Sequence, residues 1–270
     1  MRDWLFVALG LLGGCSSGPA QPDFSVAKPA AAPPSAAVAA SAEPRTVDIQ
    51  CPAPDRPLAA TLWLPATGAG PFPVAVVLVG GQMWDRNGDL PDAAWHHYAD
   101  FADAIARRGG AALLFDKGGT GATGGPAPDD AQRLREAAAA LECARARREV
   151  DAAHVTLLGH SDGSVLATEA ELTGAEVQGL VLLSPGADAE RLAALPKGLP
   201  VLLVWAEHDF GAEDNAVRLR ALGDRARSVT VPGSDHLLFD NTKGEPDPKA
   251  PSTRVAAVAT EAVAKAVVGQ

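Results

Sequence analysis

Regular alternation of short apolar runs with amphipathic stretches predicts an α/β fold, a mostly parallel sheet with helices on both faces. Three observations point to it. Residues 74–79 are apolar without a break, the pattern of a strand buried on both sides. Residues 98–108 repeat apolar side chains at helical spacing and stop at Gly109-Gly110. Residues 155–158 form another apolar run, which turns through Gly159-His160-Ser161-Asp162-Gly163 into an Ala- and Leu-rich helix over 163–172.

Ahead of these, residues 46–50 and 58–64 are β-type runs separated by Pro52, Pro54, Asp55 and Pro57, and they read as a hairpin-like pair of edge strands. Residues 111–115 are a further buried strand. Residues 129–149 form a long Ala-rich helix with Leu134, Ala138, Leu141 and Ala144 at helical intervals. Strands at 180–183, 201–205 and 229–231 and helices at 212–222 and 252–268 complete the alternation. Only about 15 residues link the strands at 180–183 and 201–205, too few for a lid of several helices. A site at that edge of the sheet is expected to be open.

The N-terminus has a different character. Met1-Arg2-Asp3 precedes an apolar run over 4–12, followed by Gly13-Gly14-Cys15-Ser16, which reads as an export signal too short to span a bilayer. Leu12-Gly13-Gly14-Cys15 resembles a bacterial lipobox, and the resemblance implies that Cys15 is lipidated and becomes the first mature residue. Residues 16–44 are rich in Ala and Pro and hold few large apolar side chains, so they cannot offset the entropy of ordering. The expected organisation is a signal peptide over 1–15, a disordered tether over 16–44 and a catalytic domain over 45–270. The expected location is a bacterial membrane, with the lipid anchor holding the domain toward the periplasm or cell exterior; an ordinary cleaved signal and a secreted protein are the alternative.

With Cys15 lipidated, Cys51 in an early strand and Cys143 in a helix remain. Export favours oxidation, yet spacing alone does not bring the two within bonding distance, and separate buried thiols are the expectation. The 270-residue chain is 47% hydrophobic and 21% charged, with a net charge of -10. Its pI near 5.0 makes nucleic acid a poor partner, because an acidic surface repels phosphate.

The turn at Ser161 carries the chemistry. A strand that reverses into a helix within so few residues strains the serine backbone and lifts its hydroxyl to the top of the sheet, while Gly159 and Gly163 keep side chains out of the turn. Serine needs a base, and the base an orienting acid. His236 follows the last strand in Pro232-Gly233-Ser234-Asp235-His236, and Asp209 follows the strand at 201–205. Their order after Ser161 fits a triad headed by such a turn. Glu207, Asp188 and Asp235 are the other candidate acids, and His96, His97, His154, His160 and His208 have structural readings. An oxyanion requires two backbone N–H donors. Asp162 supplies one candidate and Gln82 the other, with Gly81 as the alternative, in the loop Gly80 to Asp89.

These residues resemble the α/β-hydrolase superfamily over nearly all of residues 46–270. The loop Gly80 to Asp89 looks like the Gly-rich, Asp-Arg-x-Gly loop of bacterial serine esterases of the dienelactone hydrolase-like and serine-aminopeptidase-like groups. Phe115-Asp116-Lys117-Gly118-Gly119-Thr120-Gly121-Ala122-Thr123 is similar to their Asp-x-x-Gly-x-Gly-x-Ser turn, with Gly118 where Arg is common and Thr123 where Ser is common. The resemblance implies about eight strands and an acyl-enzyme mechanism on a small-molecule ester that needs neither metal nor cofactor. Many relatives insert a helical cap between the strands at 180–183 and 201–205, and the short link here departs from them, so no substantial cap is expected. Peptide, thioester or lactone cleavage and acyl transfer are alternative uses of the same triad. A non-catalytic surface-binding lipoprotein is the alternative of another class.

Overall fold

The computed structural model describes residues 42–81, 83–241 and 254–269. The expected signal peptide with Cys15, nearly all of the tether, and Gln82 lie outside the described residues. The strands are β1 (Arg45–Cys51), β2 (Leu58–Leu64), β3 (Phe72–Leu78), β4 (Ala111–Phe115), β5 (Val150–His160), β6 (Gly179–Leu183), β7 (Val201–Ala206) and β8 (Ala226–Val231). The helices are α1 (His97–Arg107), α2 (Asp130–Arg145), α3 (Asp162–Leu172), α4 (Ala189–Ala194), α5 (Asn215–Leu222) and α6 (Ala257–Val268).

The strands form one eight-stranded sheet in the order β1-β2-β4-β3-β5-β6-β7-β8. β2 runs antiparallel to both β1 and β4, and every pairing from β4 through β8 is parallel. β2 is therefore an interior strand, where the sequence suggested an edge, and its nearly continuous burial follows from that position. Along β3, Val74, Val76 and Leu78 enter one core while Ala75, Val77 and Val79 enter the other. The first core is closed by α2 to α5, the second by α1 and α6. Unbroken apolar sequence in β3 is thus explained by two covered faces.

The long helix starts where expected: Asp129 caps the Gln132 N–H at 2.7 Å, and the Gln132 side chain returns to the Asp129 N–H at 2.9 Å. It ends at Arg145, short of residue 149, because Glu149 accepts from the Phe72 N–H at 2.8 Å as β5 begins alongside β3. Between β6 and β7 stands only the short α4, capped by Asp188, so the described residues carry no helical cap domain.

Cys51 and Cys143 are bonded, joining the end of β1 to α2 with Cα atoms 5.4 Å apart. Separate thiols were the expectation, and the fold overrules it. The antiparallel return of β1 along β2 brings Cys51 into the core that α2 covers, a proximity that a separation of 92 residues does not reveal.

Candidate active site

The sheet's strand order reverses around β3, with β4 on one side and β5 on the other, and such a switch point leaves a crevice at the strand C-termini. Ser161 sits there, between β5 and α3, with φ 52° and ψ -120°. This left-handed value in a non-glycine residue stores roughly 1–3 kcal/mol, which the surroundings hold in place. The Ser161 N–H donates to the Leu183 carbonyl at 2.9 Å, and its carbonyl accepts from the Ser164 N–H at 2.9 Å and hydroxyl at 2.6 Å. A Cβ on Gly159 would strike the Gly163 carbonyl, and one on Gly163 would strike the Leu78 carbonyl, so both glycines are sterically required.

Asp209 and His236 emerge from the loops after β7 and β8. His236 Nδ1 lies 2.7 Å from Asp209 Oδ1, with the Asp209 side chain 4% exposed and the imidazole 23% exposed. An ionised carboxylate only accepts, so Nδ1 donates and Nε2 is left as the basic nitrogen. Arg218 of α5 secures the acid's loop by donating to the Gly211 carbonyl at 3.2 Å and to the Ala187 carbonyl at 2.9 Å. The rival acids are engaged elsewhere: Glu207 accepts from the Gly233 N–H, Asp188 caps α4 and Asp235 accepts from the Leu237 N–H.

A buried polar chain links the parts of the site. The Gly80 N–H donates to the Tyr98 hydroxyl at 2.8 Å, and that hydroxyl meets His160 Nδ1 at 3.0 Å. His160 Nε2 reaches the His236 carbonyl at 3.1 Å, and Ser184 donates to the same carbonyl at 2.9 Å. Because a carbonyl only accepts, His160 carries its proton on Nε2 and receives Tyr98 on Nδ1. Burial, with a smaller contribution from the nearby His236 ring, brings the His160 pKa down to about 4. Burial also pushes the Tyr98 phenol up, so both groups keep these protonation states at neutral pH. The sequence reading gave His160 no role. Its signal was an ionisable ring closing the apolar run that begins at residue 155, where an unpaired polar group is costly.

The loop after β3 brings Gly80 and Gly81 against the start of α3: a Cβ on Gly81 would lie 2.7 Å from the Asp162 carboxylate. Asp162 is the first residue of α3, so its N–H belongs to the donors that a helix leaves unpaired. The same loop is pinned by Asp116, which is 2% exposed and accepts from the Arg86 N–H and guanidinium, both at 2.8 Å. The two glycine-rich stretches singled out in the sequence are therefore bonded to each other.

A cavity of about 520 Å³ opens between α2 and α3, bounded by Arg133 and Leu134 on one side and Asp162, Val165 and Leu166 on the other. Among the described residues the exposed apolar side chains include Met83, two residues beyond Gly81, Val165 on α3 at the cavity, and Phe210, 76% exposed, which stacks on His236 with centroids 4.2 Å apart. A wider depression of about 990 Å³ lies at the opposite edge, where Gly179 and Val201 begin their strands. Among the described residues no His, Cys, Asp and Glu cluster is placed to hold a metal ion.

Comparison with known proteins agrees with this architecture. The family model for serine aminopeptidase, S33, matches residues 94–211, a span that contains Ser161 and Asp209. A search of curated protein sequences returned no match. Among solved structures, dienelactone hydrolase from Anabaena variabilis aligns with TM-score 0.58 at 18% identity, over 84% of this chain and 97% of that one. Esterase Est22 with p-nitrophenol aligns with TM-score 0.64 at 17% identity, over 86% of this chain and 83% of that one. XC6422 from Xanthomonas campestris, described as an α/β serine hydrolase without lid, aligns with TM-score 0.56 at 20% identity, over 71% and 86%. By its sheet order and these likenesses, the chain has the α/β-hydrolase fold.

Proposed function

We propose that the chain is a serine hydrolase of carboxylic esters acting through an acyl-enzyme. The single observation that carries this is the 2.7 Å bond between His236 and Asp209, on the same sheet edge as a serine held at φ 52°. His236 Nε2 takes the Ser161 proton as Oγ bonds to the ester carbonyl carbon, and Asp209 stabilises the imidazolium. The N–H groups of Asp162 and of Gln82, or alternatively Gly81, receive the oxyanion. The tetrahedral intermediate collapses, the alcohol leaves with the proton from His236, and water activated by His236 then releases the acid. Exposed Met83, Val165 and Phe210 suit a substrate with an apolar acyl or alcohol part, small or extended, in an uncapped cleft. Replacement of Ser161 by Ala should abolish turnover of p-nitrophenyl esters in a folded protein; retained turnover would contradict the assignment.

The match to a serine aminopeptidase family model favours a second reading, cleavage of aminoacyl amides by the same triad. Parallel rates on aminoacyl p-nitroanilides and p-nitrophenyl esters separate the two. Export with a lipid anchor at Cys15 is proposed alongside, supported by the Cys51–Cys143 disulfide, which suits an oxidising compartment. A Cys15→Ser variant should leave the membrane fraction; unchanged association would contradict the anchor.

A further inference from the structure

Lys117 has no part in the cycle above, yet its ammonium is committed to the glycine loop. It donates to the Gly80 carbonyl at 2.6 Å and also to the Gly81 carbonyl. Register explains the placement. Val77 of β3 pairs with Leu114 of β4, so three residues further on Lys117 runs beside Gly80. β3 lies between β4 and β5, which puts Lys117 on one flank of the loop and Ser161, at the end of β5, on the other. In a trans peptide the carbonyl and the following N–H point in opposite directions. Drawing the Gly80 carbonyl toward Lys117 therefore turns the Gly81 N–H toward the flank where Ser161 sits.

We propose that Lys117 is a positioning residue for the oxyanion site, its ammonium clamping the Gly80–Gly81 peptide so that the loop's amides face the reacting carbonyl. This rests on the serine hydrolase reading and adds a charged strut to it. The groups facing the ammonium are Arg133 and Glu136 of α2 and Asp162 of α3. The adjacent Asp116 is occupied by Arg86. Burial, reinforced by Arg133 and opposed by Asp162 and Glu136, brings the Lys117 pKa from 10.5 to about 8. As the ammonium loses its proton the clamp loses its charge-assisted bonds, which are about twice as strong as neutral ones. Activity should then decline on the alkaline side.

The test is kcat and KM for p-nitrophenyl acetate between pH 6 and 9.5, corrected for spontaneous hydrolysis, on the full chain and on Lys117→Met, Lys117→Arg, Arg133→Met and Ser161→Ala. For the unaltered chain kcat should fall with a midpoint near pH 8 while KM changes little. Lys117→Met should lose about 10- to 100-fold in kcat at pH 7, the scale of a misplaced catalytic group, and lack the alkaline decline. Lys117→Arg should retain more activity than Met and also lack the decline. Arg133→Met, by removing a neighbouring cation, should move the decline to higher pH. Unaltered kcat in Lys117→Met, or a decline that survives in it, overturns the proposal. Should Lys117→Met fail to fold by circular dichroism, an alkaline midpoint unmoved in Arg133→Met overturns it instead. Ser161-dependent turnover combined with either result leaves the hydrolase reading standing, whereas turnover independent of Ser161 removes both.

Discussion

His160 and His236 are joined ring to backbone: Nε2 of the first donates to the carbonyl of the second at 3.1 Å. The neighbour of the proposed nucleophile thereby fixes the backbone that carries the proposed base. Through Tyr98 the same ring is tied to the Gly80 N–H, so the turn at Ser161, the glycine loop and the backbone of His236 share one buried hydrogen-bonded chain.

Tyr98→Phe removes one hydroxyl and strands a buried donor on Gly80 and a buried acceptor on His160. Unsatisfied buried groups cost about 1–3 kcal/mol each, so a destabilisation of about 2–3 kcal/mol is expected by urea unfolding. A fall in kcat of about tenfold should accompany it, since the glycine loop and His236 both lose support.

His160 also makes stability pH-dependent. Its folded-state pKa, about 4, lies below the ordinary 6.5, so the unfolded chain binds more protons between those values and acidification favours unfolding. The stabilising contribution is fully present above pH 6.5 and is lost as pH falls toward 4. Burial holds His97 well below its usual range as well, with the same sign. Asp85, Asp100 and Glu136 are raised by burial and act oppositely, losing their contribution as pH rises from their ordinary values. Between pH 6.5 and 5 His160 should cost roughly 2 kcal/mol. Urea unfolding across that window should show a flatter slope in His160→Gln.

The Cys51–Cys143 bond closes a segment of 92 residues that includes β2, β3, α1 and β4. Replacing both cysteines by alanine should destabilise the fold by about 2–5 kcal/mol. The proposed turnover of p-nitrophenyl esters should be unchanged in the still-folded protein, because Cys143 lies in the last turns of α2, away from the end that borders the cleft. Thermal melting with and without reductant measures the first effect.

Asp209→Asn keeps the shape of the acid but presents an amide to His236, favouring the wrong imidazole tautomer. A fall in kcat of about 10,000-fold is expected with folding intact, whereas Asp188→Asn should be nearly silent. Steady-state kinetics on the two variants separates the candidate acids.

What was legible in the sequence follows from local physics. A strand covered on both faces must be apolar throughout, so β3, β4 and residues 155–158 of β5 announced themselves, whereas the exposed first part of β5, with Asp151 and His154, did not. The turn at Ser161 demands glycines at 159 and 163 for backbone clearance, so its pattern carried geometry as well as chemistry. Ala-rich helical spacing placed the start of α2 within one residue of Asp130. Less was legible where the cause is tertiary. The six-residue α4 is too short for its periodicity to register. β2 looked like an edge because the strand that covers it, β4, lies nearly 50 residues further along the chain. The disulfide and the Tyr98–His160–His236 chain join residues that meet only once the sheet has assembled.

The central claim is that Ser161 is a nucleophile activated by His236 and Asp209. Incubation of the full chain with a fluorophosphonate, followed by peptide mass spectrometry, tests it most directly. A single adduct on Ser161 is predicted, absent in Ser161→Ala and formed far more slowly in His236→Ala. A folded, unmodified protein, or an adduct at another residue, would contradict it.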